Sequence, residues 1–299
     1  MGGQIMEYAF FRGCLAPIRE YGYELSVRNI LRTLNVQLVD VEDFSCCAPA
    51  CLFYSFDFTT GVALTARNLC VAEEKELDIL TMCSSCFSNL SKTRKLLTES
   101  PELKQQVNEI LSTIDKEFVG NTEVKHVVTV LFDDIGVNKI KEAVTNPLKG
   151  IRAAAFYGCH LIRPHDVIKF DDSELPYTLD KLIEVTGAES IYYKEKVGCC
   201  IGCGAFFGGV GEQVASRLLL KIVKSAKKAK ADCIVVTCPF CAFQLDLGQF
   251  GIAENEETEA VPILYYTDLL GLALGLQPDE LGVTLHRVDV TPLLEKIKS

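Results

Sequence analysis

Short apolar runs alternate with longer amphipathic stretches along this chain, and the alternation occurs twice. Tyr8-Ala-Phe-Phe11 runs into Arg12-Gly13-Cys14, and Ala153-Ala-Ala-Phe-Tyr157 runs into Gly158-Cys159. A brief continuous apolar run closed by glycine is the pattern of a buried strand ending in a tight turn. Helical periodicity follows in each half, over about Thr59 to Glu74 and Gly211 to Ala229, and then a second apolar run, Leu77-Asp-Ile-Leu-Thr-Met82 and Cys233-Ile-Val-Val-Thr237. Strand, helix and strand in this order predict an α/β fold whose functional loops gather outside the carboxyl ends of a parallel sheet. In the later helix Val214, Leu218, Ile222 and Ala226 make the predicted apolar face, while Lys221, Lys224, Lys227, Lys228 and Lys230 occupy the solvated face and last turns. Pro101 to Phe118 also reads as helix, with Leu103, Val107, Ile110, Leu111 and Ile114 on one side, and His126 to Val144 has helical character. Together these two stretches predict an insertion peculiar to the first half.

A chain of 299 residues is long enough for one large domain or two halves, so a proper core forms without covalent staples. Its 14 cysteines are therefore not needed to rescue a small fold. The opening Met1-Gly-Gly-Gln-Ile-Met-Glu-Tyr8 lacks the basic flank and long apolar stretch of a secretory signal, and no apolar run reaches membrane-spanning length. The expectation is a soluble, cytoplasmic protein with no transmembrane segment, where thiols stay reduced and dense cysteine points to metal or redox chemistry. A net charge of −10 argues against nucleic acid as a partner.

Written in order, the cysteines repeat. Cys14 is followed after 31 residues by Cys46-Cys47, and after 35 more by Cys83-Ser-Ser-Cys86. Cys159 is followed after 39 residues by Cys199-Cys200, and after 37 more by Cys238-Pro-Phe-Cys241. The order C, CC, CxxC thus occurs twice, with offsets of 145, 153 and 155 residues between matching positions, which places a boundary near Asn146-Pro-Leu-Lys-Gly150. Two half-domains, 6–150 and 151–299, related by a pseudo-twofold would bring both sets towards one face.

A CxxC at a strand end holds two thiolates close enough to chelate one metal or neighbouring irons. Tetrahedral zinc and a cubane cluster each want four ligands, whereas each half offers five repeated thiols. The vicinal pair suits neighbouring irons or a bridging position, so the arithmetic favours an iron–sulfur centre of unusual topology; zinc and buried or disulfide-bonded thiols are the alternatives. Cys51 and Cys203 follow the two CC pairs at unequal spacing and read as small buried side chains, as do Cys70 on a helix and Cys233 in a strand. Gly202-Cys-Gly204-Ala-Phe-Phe207 begins like a dinucleotide fingerprint but lacks its third glycine.

The repeated series resembles the cysteine-rich CCG domain, written C-x(31–39)-CC-x(35–36)-CxxC, present in duplicate in the B subunits of methanogen heterodisulfide reductases. Tyr157-Gly-Cys-His160 and Thr237-Cys-Pro-Phe-Cys241 are similar to that family's second repeat. Ala48 and Ile201 stand where the motif's glycine would follow each pair, and the last spacer is 37 residues. Neither departure removes a ligand, but both put the local backbone of the CC turns in question. The resemblance implies an α/β fold of two pseudo-twofold-related CCG half-domains, each a small, mostly parallel sheet with flanking helices. It also implies two noncubane [4Fe–4S] clusters, held by Cys14, Cys46, Cys47, Cys83 and Cys86 and by Cys159, Cys199, Cys200, Cys238 and Cys241.

The implied activity is reduction of the coenzyme M–coenzyme B heterodisulfide to two thiols. Electrons would come from two partner subunits, a ferredoxin-like C component and a flavin-containing A component, with a hydrogenase or formate dehydrogenase module upstream. No ferredoxin-type cysteine run or flavin fingerprint occurs in this chain. His160, beside a ligand, is the candidate proton donor, while His126, His165 and His286 have no such context. Arg12, Arg19 and Arg163 are candidate partners for the substrate's anionic groups. Related CCG proteins of glycolate or lactate oxidation or of thiol-dependent fumarate reduction are the nearest alternative; a zinc-stabilised scaffold is one of a different class.

Overall fold

The computed structural model describes residues 6–253 and 260–298. Eight strands make two sheets. The first contains β1 (Met6–Phe11), β2 (Val36–Asp40), β3 (Ile79–Thr81) and β4 (Val124–His126) in the order β2-β1-β3-β4. The second contains β5 (Arg152–Phe156), β6 (Glu189–Ser190), β7 (Cys233–Val236) and β8 (Ile263–Tyr265) in the matching order β6-β5-β7-β8. All pairings are parallel, for example Ala9 opposite Ile79 and Ala154 opposite Ile234. Parallel strands need crossovers, which the helices Tyr21–Thr33, Phe58–Glu73, Ser84–Glu99, Thr178–Val185 and Glu212–Lys228 supply. Helices cover both faces, so the central strands are apolar throughout: Ala9, Phe10 and Phe11 in β1, and Ala153 to Phe156 in β5, are buried.

The halves pack reciprocally. Helix Tyr21–Thr33 of the first lies against Tyr266–Ala273 of the second, and Thr178–Val185 of the second lies against Val137–Ala143 of the first. Ser26 and Thr267 hydroxyls meet at 2.6 Å in one contact, and the rings of Tyr23 and Tyr265 stack at 3.7 Å and 3° beside it. This exchange gives the halves a pseudo-twofold relation.

Three expectations need correction. His126 to Val144 is no insertion: Val124–His126 is a fourth sheet strand, and the helical segment after it packs as Tyr266–Ala273 does after β8. The first half's extra element is the helix Pro101–Ser112 alone, which buries Val107 and Leu111 but leaves Ile110 exposed, and Ile114 lies exposed beyond its end. In Glu212–Lys228 the buried face is Ala215, Leu219, Ile222, Val223 and Ala226, while Val214 is 49% exposed. One residue of rotation separates this stripe from the expected one, because apolar side chains occur at consecutive positions and two registers fit.

Candidate metal centre

Every repeated cysteine follows the carboxyl end of a strand. Cys14 lies in the turn after β1, Cys46-Cys47 in the loop after β2, and Cys83 and Cys86 open the helix after β3; Cys159, Cys199-Cys200, Cys238 and Cys241 stand likewise after β5, β6 and β7. Glycine makes the close approach feasible. Gly13 and Gly158 have φ of +73° and +67°, and a Cβ there would lie 3.1 Å from Cys86 Sγ and 3.2 Å from Cys241 Sγ.

In the first half each thiol perturbs the ionisation of the next, in the sequence Cys14, Cys46, Cys47, Cys86 and Cys83. Shared protons divide them: the bond to Cys14 lowers Cys46 to about 3, while the same bond raises Cys14. In the second half Cys159 and Cys199 sulfurs are 4.0 Å apart, Cys200 and Cys241 are 3.2 Å apart, and Cys238 bonds Cys241. Sulfur donors crowded in this way suit soft metal ions, which take the place of the thiol protons. All five second-series cysteines line one cavity of about 210 Å³, with His160, Cys203 and Phe240 in its wall. Ser84 and Ser85, from the first half's CxxC, complete that wall. The chemistry of these donors suits thiolate-bound metal in each half; among the described residues no three of them converge on a single ion position.

The two series touch. Cys83 Sγ and Cys238 Sγ, equivalent positions of the repeat, lie 4.0 Å apart and are both buried. Three side chains that no sequence pattern had singled out surround this contact. Tyr23 Oη donates to the Thr237 carbonyl at 3.2 Å. Ser84 Oγ donates to the same carbonyl at 3.3 Å. His126, fully buried at the end of β4, accepts from the Val128 N–H at Nδ1 (3.1 Å), and its Nε2 faces Ser84 Oγ at 3.5 Å. Burial lowers its pKa to about 4, so the ring is neutral at pH 7. A three-residue strand with one buried position offers no periodic signal that could have flagged it.

Other candidates fall elsewhere. Arg12 pairs with Glu24 at 3.7 Å, and Arg163 donates to the Val197 and Ser173 carbonyls and to Glu174, so both brace loops. Arg19 lines a narrow cleft with Glu20, Tyr265 and His286 rather than the thiol cavity. His165 starts the short helix His165–Ile168. His286 is buried between Asp268 (2.9 Å) and Asp246 (3.6 Å). Cys70 and Cys233 are core, as expected. Cys203 is half-buried instead, because it faces the cavity, with its Sγ 3.9 Å from Ser85 Oγ. The Cys51 side chain lies outside the described residues. A larger cavity of about 590 Å³ runs along β2 past Leu25, Arg28 and Arg32; no cysteine lines it.

Residues 8–91 and 153–246 match the family model CCG, described as a cysteine-rich domain. The chain is 38% identical over 290 residues to the B subunit of the ferredoxin:CoB-CoM heterodisulfide reductase of Methanosarcina mazei, covering 97% of this chain and 96% of that one. It is 34% identical to a protein of Archaeoglobus profundus described as like the heterodisulfide reductase B subunit, over 98% of both chains. It is also 32% identical to the 8-methylmenaquinol:fumarate reductase membrane anchor subunit of Wolinella succinogenes, over 96% of this chain and 99% of that one. A crystal structure of a hypothetical protein from Helicobacter pylori superposes with a TM-score of 0.75 over 96% of this chain and 53% of that chain; at 13% identity this is a likeness of fold.

Proposed function

The chain belongs to the cysteine-rich CCG family and, within it, to the group of heterodisulfide reductase B subunits, and on that premise we propose that it is the catalytic subunit reducing the coenzyme M–coenzyme B heterodisulfide to two thiols. Cys14, Cys46, Cys47, Cys83 and Cys86 would hold one noncubane [4Fe–4S] cluster, and Cys159, Cys199, Cys200, Cys238 and Cys241 another. Such clusters supply electrons singly and soft iron that stabilises a thiolate. The reaction needs two electrons and two protons per disulfide, which accounts for a duplicated site. The observation that carries this reading is the meeting of the two five-thiol sets at Cys83 and Cys238 beside the 210 Å³ cavity.

This chain's residues have separate tasks. The series cysteines bind and orient the two centres, and the apolar wall at Phe240 excludes water from the buried sulfurs. His160, in the cavity wall beside Cys159, holds the proton that one product thiolate takes up. Electrons come from the ferredoxin-like C component and the flavin-containing A component, fed by a hydrogenase or formate dehydrogenase module, in the cytoplasm. Among the described residues no helix is long and apolar enough to cross a membrane. The intact, cluster-loaded complex given reduced viologen should consume the heterodisulfide; no consumption overturns the proposal.

The fumarate reductase relative supports a second reading, an iron–sulfur subunit of a fumarate-reducing complex; an iron–sulfur subunit of glycolate or lactate oxidation is the other form of this alternative. In that case the same preparation would consume fumarate, or oxidise the hydroxy acid, and leave the heterodisulfide unchanged.

A further inference from the structure

The contact between Cys83 and Cys238 is held by side chains of the first half. The Thr237 carbonyl, one residue before Cys238, takes hydrogen bonds from Tyr23 Oη at 3.2 Å and Ser84 Oγ at 3.3 Å. Tyr23 comes from a helix of the first half, and Ser84 follows Cys83 directly. His126, buried at the end of β4, stands behind Ser84. Its Nδ1 is occupied as an acceptor for the Val128 N–H, so the proton sits on Nε2, which faces Ser84 Oγ at 3.5 Å. Tyr23, Ser84, His126 and Thr237 are all buried, and the Tyr23 ring is locked by its stack on Tyr265.

Two buried hydroxyls, both from the first half, converge on this one carbonyl of the second. Hydrogen bonds in such surroundings have fixed geometry and resist displacement, because a lost partner leaves a buried polar group unsatisfied. Their product here is a fixed sulfur-to-sulfur distance between halves that otherwise belong to separate sheets.

We infer that Tyr23, Ser84 and His126 are positioning residues that hold the Cys83–Cys238 sulfur contact as the route for single-electron exchange between the two halves' centres. Each exchange oxidises one centre by one electron and reduces the other by one; no bond forms or breaks. The contact lets a pair of one-electron centres act as one two-electron unit. This rests on the reading that both halves hold clusters.

The test uses the full cluster-loaded chain. With both centres reduced by one electron, the wild type should give a split electron paramagnetic resonance signal from interaction between them. Tyr23→Phe combined with Ser84→Ala should lose the splitting while iron content and the separate signals persist. Tyr8→Phe, which removes a hydroxyl bond to Asp134 (2.9 Å) near the amino end of β1, should keep it. His126→Gln is a further variant with the same expected loss. No splitting in the wild type, or splitting unchanged in the double variant, overturns the clamp. Heterodisulfide turnover on the same samples separates the two claims: splitting without turnover refutes the function and keeps the clamp, and turnover without splitting does the reverse.

Discussion

The two halves carry the same series of cysteines on the same strand order, yet they differ in the residues between those cysteines. All five thiols of the second half line one cavity, and Ser84 and Ser85 of the first half stand in its wall. Topology is common to both, so the difference lies in the residues between the ligands. Ser84 and Ser85 fill the first CxxC and turn their hydroxyls towards the second half; Pro239 and Phe240 fill the second, and Phe240 walls its own cavity. Leu15, buried, follows Cys14 where His160 follows Cys159. A duplicated scaffold thus specifies where thiols stand, and substitutions between them place His160 and Phe240 in the wall of the second half's cavity.

Changing Cys238 to Ala should break the symmetry most. Iron should fall by about half, from about eight per chain to about four, with the second centre's spectrum lost and the first retained. An unaltered spectrum would sink the ligand assignment. His160→Gln should lower turnover by about a hundredfold at unchanged iron content, since positioned proton transfer contributes on that order. Turnover at the wild-type level would return His160 to a structural role, and the corresponding change at Leu15 should alter stability rather than proton supply.

Two buried histidines, one per half, should respond to pH with opposite sign. Burial lowers His126 from 6.5 to about 4, so its stabilisation is present above 6.5 and is lost as pH falls towards 4. At His286 burial also opposes the charge, but hydrogen bonds with Asp246 and Asp268 outweigh it and raise the pKa from 6.5 to about 10. That contribution is complete below 6.5 and is lost as pH rises to about 10. Urea midpoints across pH should show both limbs; His126→Gln should flatten the acid limb and His286→Gln the alkaline one. A variant that leaves its own limb intact contradicts the assignment.

The smallest effect concerns the CC turns. Ala48 and Ile201 have φ of +47° and +59°, so the backbone keeps the left-handed turn even without the motif's glycine. A side chain there costs roughly 1–2 kcal/mol, most for a β-branched residue. Ile201→Gly should therefore stabilise the chain by about 1 kcal/mol after the added unfolded-state entropy, and Ala48→Gly by less. Lower melting temperatures for both would show that packing of these side chains outweighs backbone strain.

Strands β1, β3, β5 and β7 and the helices between them were legible because continuous apolar runs and amphipathic helices of 16 and 17 residues leave strong patterns. The outer strands were not. β2 (Val-Gln-Leu-Val-Asp) and β4 (Val-Lys-His) interrupt their apolar residues with polar ones and β6 has only two residues, and missing β4 turned a sheet strand and its helix into a supposed insertion. The ten thiols were legible from spacing alone. Their meeting at Cys83 and Cys238, and the roles of Tyr23 and His126, arise from packing between halves separated by more than a hundred residues, which local sequence does not encode. Arginines near Cys14 and Cys159 in sequence point into loops instead, since neighbouring positions do not share a direction.

Metal analysis of the anaerobically purified chain tests the central claim most directly. A duplicated thiolate site for two four-iron centres predicts about eight irons per chain with little zinc. Zinc in stoichiometric amount with little iron, or about four irons with one half unloaded, would contradict it.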